Sequence, residues 1–169
     1  TVSAREIVVL EIGSIHAGQQ PNQIPSEGEM TGTLRFAKEE VGRAVWDEMF
    51  FIQEQLSGTH RVTGNLDMIG PWLPPCKIDR DLTRRAIGIC RRTLGEKAVY
   101  EIPFALACED LSLIAQDVRT VHIVLGVAPK EDRGTPPPEL HSDQFLGYPD
   151  RSCLLVGRDI LAACARGLL

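Results

Sequence analysis

The sequence predicts a mixed α/β chain, with an α+β arrangement of elements in two unequal parts. Segments with the two-residue period of strands alternate with segments that have the helical period of 3.6 residues. A proline-rich break, GPWLPP at residues 70–75, divides the chain into residues 1–75 and residues 76–169. A chain of 169 residues with 43% hydrophobic content is long enough to build a core in each part.

The first part is predicted to contain two strands, a helix and a third strand. The apolar run over residues 5–15 is typical of a well-covered strand, and the alternation over residues 29–36 indicates a half-buried strand with Arg35 on its polar face. Apolar residues at helical spacing predict a helix over residues 38–56. A second alternating stretch, residues 61–70, predicts the third strand.

The second part continues the alternation of helices and strands. In order, the pattern predicts a helix over 82–94, a short strand over 98–102, a short helix over 109–116, a strand over 121–127, a long loop over 128–145 and a helix over 151–168. The strand VHIVLGV at 121–127 is almost wholly apolar, which predicts that it is buried. The last helix has almost no charged face, so we expect it to be buried on most sides.

The composition excludes several classes of protein. The net charge of -5 and the scattered Lys and Arg residues argue against nucleic-acid binding, which requires a concentrated basic surface. No apolar stretch approaches the roughly 20 residues of a membrane span, so we expect no membrane association and a cytoplasmic location. The five cysteines have no CxxC spacing, which argues against a structural zinc site.

Three motifs occur in an order that resembles a known enzyme family. The residues that carry the first motif are Gly13, Ile15, His16, Gly18, Asn22, Ile24, Pro25, Gly32, Thr33 and Arg35. This stretch resembles the lid-domain signature of M20-family metallopeptidases and amidohydrolases. The later motifs CEDL (108–111) and ELHSDQF (139–145) are similar to those of aminoacylase-like and carboxypeptidase-like members. The resemblance implies a partial lid domain (β-β-α-β) followed by the C-terminal part of the catalytic α/β domain.

The resemblance also implies roles for individual residues. His16 would polarise the scissile carbonyl, often from a neighbouring subunit, by stabilising the developing oxyanion. Asn22 and Arg35 would hold a substrate carboxylate, with Glu109 beside them in the pocket. His141 would be a ligand of a divalent transition metal, such as Zn, Mn, Co or Ni.

Most of the family's metal ligands have no counterpart in this sequence, because they belong to the first half of the family's fold. One ligand does not hold a catalytic metal. We therefore expect an obligate partner protein that carries the N-terminal half of the M20-like fold and supplies the other ligands. The assembly would be a heterodimer or a heterotetramer that acts on a small molecule and is inactive without the partner.

Three functions are compatible with these features. In the first, the complex is a split hydrolase that cleaves an N-acyl amino acid or a small peptide-like amide. In the second, the scaffold catalyses an intramolecular ring closure in natural-product biosynthesis, similar to the two-subunit azabicycle-forming enzymes. In the third, the chain is a noncatalytic scaffold. Considered without the resemblance, His16 is a loop histidine, Arg35 an exposed strand charge and Glu109 the first residue of a helix.

Overall fold

The computed structural model describes residues 2–102, 106, 110–129, 136, 138, 142–147 and 150–168. Within these residues it contains one two-stranded antiparallel sheet and four α-helices, in agreement with a mixed α+β class. The chain divides into two compact units. Unit 1 comprises the described residues of Thr1–Lys77 and Phe104–Asp117, and unit 2 comprises those of Ile78–Pro103 and Val118–Leu169.

Unit 1 is built on a β-hairpin and a long helix. The hairpin strands are β1 (Val8–Ala17) and β2 (Gly28–Phe36), and helix α1 spans Glu39–His60. The two strands and the helix predicted from the sequence are confirmed, but the expectation that the first strand is well covered is wrong, since Leu10, Ile12 and Ile15 are exposed in the described chain. The helix continues past the Ser57-Gly58 pair to Arg61, which adopts a left-handed conformation (φ 54°) and donates its N–H to Ser57 O.

Contacts with the Trp72 side chain connect the hairpin to α1. Phe36 of β2 stacks on Trp72 with 5.0 Å between ring centroids, and the Arg43 guanidinium lies 4.3 Å from the centre of the Trp72 ring. The Trp72 indole N–H donates to Glu39 Oε1 at 2.8 Å. A Cβ at Gly42 would lie 2.4 Å from Phe36 Cδ1, so the close approach of α1 to β2 requires glycine.

The predicted third strand at residues 61–70 is wrong. Residues 62–68 have no regular secondary structure, and Gly64 O accepts a hydrogen bond from Gln53 Nε2 of α1 at 2.8 Å. A strand needs a neighbouring strand to pair its backbone groups, and alternation in the sequence does not supply one. The observed order in this part of unit 1 is therefore β-β-α. The short helix predicted over residues 109–116 is present as α3 (Leu111–Ile114), also in unit 1.

Unit 2 is built on two packed helices, α2 (Arg80–Leu94) and α4 (Cys153–Leu168). Asp79 caps the start of α2 by accepting from the Leu82 N–H at 2.8 Å, and the helix ends at Leu94 as predicted, with Gly95 as its C-cap. The buried residues of the unit's core come from both helices: Ala86, Ile89, Cys90, Ile160 and Cys164.

Two expectations for unit 2 are wrong in this chain. Helix α4 is buried on one side only, since Leu154, Leu155 and Leu161 are all more than half exposed. The segments predicted as strands at 98–102 and 121–127 form no ladder, and among the described residues of unit 2 strand-like pairing is limited to an isolated parallel bridge between Ile78 and Thr120. No helix in the described part of the chain is long and apolar enough to cross a membrane.

Candidate functional site

The two faces of the β1–β2 hairpin differ in polarity. Antiparallel partners share a face, and successive residues alternate between faces. The apolar face carries Val8, Leu10, Ile12, Ile15, Met30, Leu34 and Phe36. The other face, called the polar face below, carries Val9 together with Glu11, Ser14, His16, Glu29, Thr31, Thr33 and Arg35. Two predicted site residues, His16 and Arg35, therefore lie on the same surface of the hairpin.

A β-bulge at Gly13 brings His16 onto the polar face. Regular pairing stops at Ile12 and resumes with Ser14 opposite Thr31, so Gly13 is an extra residue in β1. In a regular strand Ile12 and Ser14 would share a face, whereas the bulge puts them on opposite faces. The 3.3 Å hydrogen bond from Thr31 Oγ1 to Ser14 Oγ agrees with this assignment. Because His16 is two residues after Ser14, it points to the same side.

His16 lies at the loop end of the hairpin. Its cross-strand partner is Glu29, and side chains of such pairs have Cβ atoms about 5 Å apart. Asn22 lies in the connecting loop, beyond the last strand pair of Ala17 and Gly28. His16, Asn22 and Glu29 are all exposed. This end of the hairpin therefore combines an imidazole, an amide and a carboxylate that are accessible to a ligand or to another protein surface.

Arg35 lies at the opposite end of the polar face. Its Nη1 donates to Leu106 O at 2.9 Å, and Leu106 is three residues before Glu109 in the sequence. No carboxylate in the part of the chain that the structure describes forms an ion pair with Arg35. The guanidinium is thus held by Leu106, while its remaining N–H donors form no ion pair with a described acid.

The structure does not bring His16 and Arg35 close together within one chain. Glu29, the partner of His16, and Arg35 are six residues apart along β2, which corresponds to about 20 Å in a strand. In an N-acyl amino acid the carboxylate and the amide carbonyl are separated by only a few bonds. One such substrate does not span this distance on a single hairpin.

Two predicted site residues, Glu109 and His141, lie outside the described residues. Among the residues that are described, no group of three or more His, Cys, Asp or Glu side chains is arranged to hold a metal ion. The described donor set therefore does not fit a metal centre. The expected metal site stays a prediction that depends on His141 and on ligands from elsewhere.

Sequence reasoning missed three features of this surface: the bulge at Gly13, the cross-strand position of Glu29 and the contact of Arg35 with Leu106. A signal for the bulge is present in the sequence, because the apolar residues of β1, apart from Val9, occupy even positions up to residue 12 and odd positions from residue 15. Such a change of parity within one strand indicates an inserted residue. The other two features depend on register and tertiary contacts.

Comparison with known proteins gives a distant relationship. No protein-family model matches the chain. Thermostable carboxypeptidase 2 and thermostable carboxypeptidase 1 of Saccharolobus solfataricus are 28% and 27% identical to it over 149 residues. The alignments cover 85% of this chain but 37% of each carboxypeptidase, so the chain spans little more than a third of the length of these relatives. The similarity supports a peptidase-like relationship.

Proposed function

We propose that this chain is the small subunit of a split M20-like hydrolase, in which it contributes lid and pocket residues for a substrate with an amino-acid-like carboxylate. Amide hydrolysis would be performed by the assembled complex. The observation that carries the proposal is the shared polar face of His16 and Arg35, which depends on the bulge at Gly13. The alignment with carboxypeptidases, which covers 85% of this chain, supports the same class of reaction.

Arg35 is the group proposed to bind the substrate carboxylate. A guanidinium offers parallel N–H donors that match the two oxygens of a carboxylate. The hydrogen bond to Leu106 O restrains one Nη1 donor and leaves the rest of the fork for a ligand. Because the described acids do not neutralise Arg35, an incoming carboxylate would not have to displace one of them.

His16 is proposed to donate a hydrogen bond to the carbonyl oxygen as negative charge develops on it during attack. Such a donor accelerates amide cleavage because its interaction strengthens in the transition state. The separation of about 20 Å from Arg35 favours an arrangement in which His16 serves the pocket of a second copy of the complex. A heterotetramer with two-fold symmetry would place each His16 over the other copy's Arg35. Asn22, at the same end as His16, would then act in the same pocket as His16.

The proposed partner subunit corresponds to the part of the carboxypeptidases that this chain does not match. Exposed apolar side chains on α4 support a missing protein contact in unit 2, since a large apolar surface is unfavourable in water. The partner would supply metal ligands to accompany His141, and a bound metal would activate the attacking water. Since the described donors do not form such a centre, the roles proposed above are limited to binding and orientation by this chain's own residues.

The test is hydrolysis of N-acyl amino acids by this chain in complex with the product of an adjacent reading frame, chosen by whether it matches the remaining carboxypeptidase length. We expect His16→Ala to lower kcat by about 100-fold or more and Arg35→Lys to raise KM by roughly tenfold, because lysine lacks the bidentate fork. Arg92→Lys, at an exposed residue of α2 in unit 2, is the matched control and should leave both constants unchanged.

Unchanged kinetics in both His16→Ala and Arg35→Lys would remove these residues from the site. A stable complex that hydrolyses no N-acyl amino acid would reject the hydrolase proposal and would favour the ring-closing alternative.

A further inference from the structure

The solvent side of helix α2 carries two arginines with a glycine between them, called the arginine row here. Arg84, Gly88 and Arg91 follow each other at spacings of four and three residues, so they lie along one side of the helix, opposite the buried Ala86. A Cβ at Gly88 would lie 3.4 Å from Arg92 Nη1, which is the end of a flexible side chain. Gly88 therefore leaves a gap at the surface between two guanidinium groups.

The arginine row belongs to a basic helix in an acidic chain. Helix α2 contains five arginines and one aspartate, whereas the net charge of the chain is -5. Arg84 and Arg91 form ion pairs with Asp81 and Glu96, whose side chains are 71% and 78% exposed. Such exposed pairs contribute little to stability, so carboxylates from another protein surface can replace them without a large loss. The arginine row is thus available to an acidic surface.

Helix α1 carries the opposite charge pattern with the same spacing. It contains five acidic residues and one arginine. Asp47, Phe51 and Glu54, called the acidic row, follow each other at spacings of four and three residues along one side of the helix. All three are exposed, and neither carboxylate forms an ion pair within the described part of the chain. Phe51 is 55% exposed, and exposed aromatic side chains of this kind are enriched at protein contacts.

We propose that the acidic row of one copy of this chain binds the arginine row of a second copy, with the Phe51 ring in the gap over Gly88. Under two-fold symmetry each copy contributes both rows, so two equal contacts close a dimer. A side chain that fills a gap on a facing helix is the packing that joins helices in coiled coils. The inference goes beyond the proposed function, because it concerns the association of this chain with itself and does not need the partner subunit.

The two rows match in length as well as in charge. Each spans seven residues, which is a rise of about 10.5 Å along a helix. When the two helices approach antiparallel, Asp47 lies opposite Arg91 and Glu54 lies opposite Arg84. This arrangement puts an ion pair at each end of the contact and the aromatic side chain near its centre, where burial from water contributes most to binding.

The charges of the chain favour a second copy over a nucleic acid or another polyanion. A polyanion would bind the arginine row, but the acidic row would repel it and Phe51 would stay uncovered. A second copy covers both rows at once and neutralises the charges of both. The acidic row and its aromatic residue therefore decide between the two occupants.

Exchange of the charges tests the contact between copies. Asp47→Lys/Glu54→Lys produces a chain with two basic rows, and Arg84→Glu/Arg91→Glu produces a chain with two acidic rows. Sedimentation velocity of the full chain should show a dimer for the parent and a dimer Kd raised at least about 100-fold for each variant, because like charges then meet. An equimolar mixture of the two variants should dimerise again, since every row then meets a row of opposite charge.

Equal numbers of charge reversals outside the two rows are the matched controls. Glu27→Lys/Glu48→Lys changes two exposed acids, and Arg151→Glu/Arg158→Glu changes two exposed arginines. Both control variants should dimerise like the parent. Circular dichroism of every variant verifies that the helices are retained.

Two further measurements examine the gap at Gly88 and the ion pairs separately. Gly88→Leu fills the gap with a residue that favours the helix more than glycine does, so the variant should keep its fold and raise the dimer Kd at least about tenfold. An increase in NaCl from about 0.1 M to about 1 M shortens the Debye length from about 10 Å to about 3 Å and should weaken the dimer about tenfold. Association through exposed apolar residues alone would not weaken in salt.

Several outcomes would overturn the proposal. A parent chain that stays monomeric, or a dimer that neither charge reversal weakens, contradicts it. So does a mixture of the two reversed variants that fails to dimerise. Binding of heparin by a monomeric chain, with loss of binding in Arg84→Glu/Arg91→Glu, would assign the arginine row to a polyanion instead. Hydrolysis by the complex with the partner is a separate measurement, so the proposed function stands or fails independently.

Discussion

Positions 13 and 32 of the hairpin are both glycine, but only position 13 has space for a Cβ atom. A Cβ at Gly32 would lie 2.2 Å from Glu11 O, a backbone atom that moves only if the strands separate. At Gly13 the nearest atom to such a Cβ is Thr31 O at 4.0 Å, and the residue does not adopt a positive φ. The bulge thus requires an extra residue at position 13, whereas the strand pairing requires glycine at position 32.

Gly32→Ala is therefore expected to destabilise unit 1 by about 2–3 kcal/mol. Gly13→Ala is the matched control and should change the unfolding free energy by less than about 0.5 kcal/mol. Urea unfolding followed by tryptophan fluorescence measures this, because Trp46 and Trp72 both lie in unit 1. Equal stabilities of the two variants would contradict the hairpin register.

Asp79, at the start of α2, forms a salt bridge with Arg119. Its carboxylate accepts from Arg119 Nε at 2.6 Å and Arg119 Nη2 at 3.1 Å, and from the Leu82 N–H. These hydrogen bonds, with that from Arg119 the largest cause, hold the pKa of the Asp79 carboxyl well below its ordinary value. A carboxyl with a lower pKa in the folded state stabilises folding above its unfolded pKa of about 3.9, and the stabilisation is lost as the pH falls.

Unit 2 should consequently lose stability from about pH 5 downward, as Asp79 takes up a proton. Asp79→Asn should lower the unfolding free energy at pH 7 and make its decline in acid shallower. Asp159→Asn, which leaves the Asp79–Arg119 pair intact, is expected to keep the parent's decline. Urea titrations followed by circular dichroism between pH 3 and pH 7 compare the three proteins. A decline as steep in Asp79→Asn as in the parent would contradict the assignment.

At the scale of elements, the helices and the hairpin were predictable, and the remaining strands were not. Helices α1 and α2 close their hydrogen bonds within their own segments, so their periodicity and the stop at Gly95 are sufficient evidence. Polar and apolar residues alternate over 61–70, and residues 121–127 are almost wholly apolar. A strand also needs a neighbouring strand, and the described chain provides none for either segment. For the candidate site, the residue types were predictable, whereas the side to which His16 points depends on a bulge.

The burial of residues in helix α4 also depends on which elements pack against it, because adjacent residues of the helix are buried and exposed. Ile160 is 5% exposed in the core of unit 2, whereas Leu161 is 69% exposed. Ile160→Ala should cost about 2–4 kcal/mol of unfolding free energy, since it leaves a cavity between the helices. Leu161→Ala should cost less than about 0.5 kcal/mol in the free chain. Thermal and urea unfolding followed by circular dichroism measure both, and a large effect of Leu161→Ala would contradict the observed packing.

At the scale of the whole molecule, the distance between His16 and Arg35 predicts that two copies share each site. The variants His16→Ala and Arg35→Ala should each have strongly reduced activity in a complex that contains only one kind of chain. Co-assembly of both variants with the partner should restore part of the activity, because some sites then combine an intact His16 with an intact Arg35. The control is the activity of the two variant complexes when each is assembled with the partner and assayed separately. Absence of recovery in verified mixed assemblies would contradict sharing between copies.

The most direct test of a split hydrolase is the rate of amino-acid release from an N-acyl amino acid by three samples: this chain alone, an adjacent reading frame's product chosen as the partner alone, and the two together. A split hydrolase predicts release by the combined proteins only, because each would contribute residues that the other lacks. A combined sample that forms a complex without hydrolysis, or hydrolysis by either protein alone at the full rate, would contradict a split peptidase-like hydrolase.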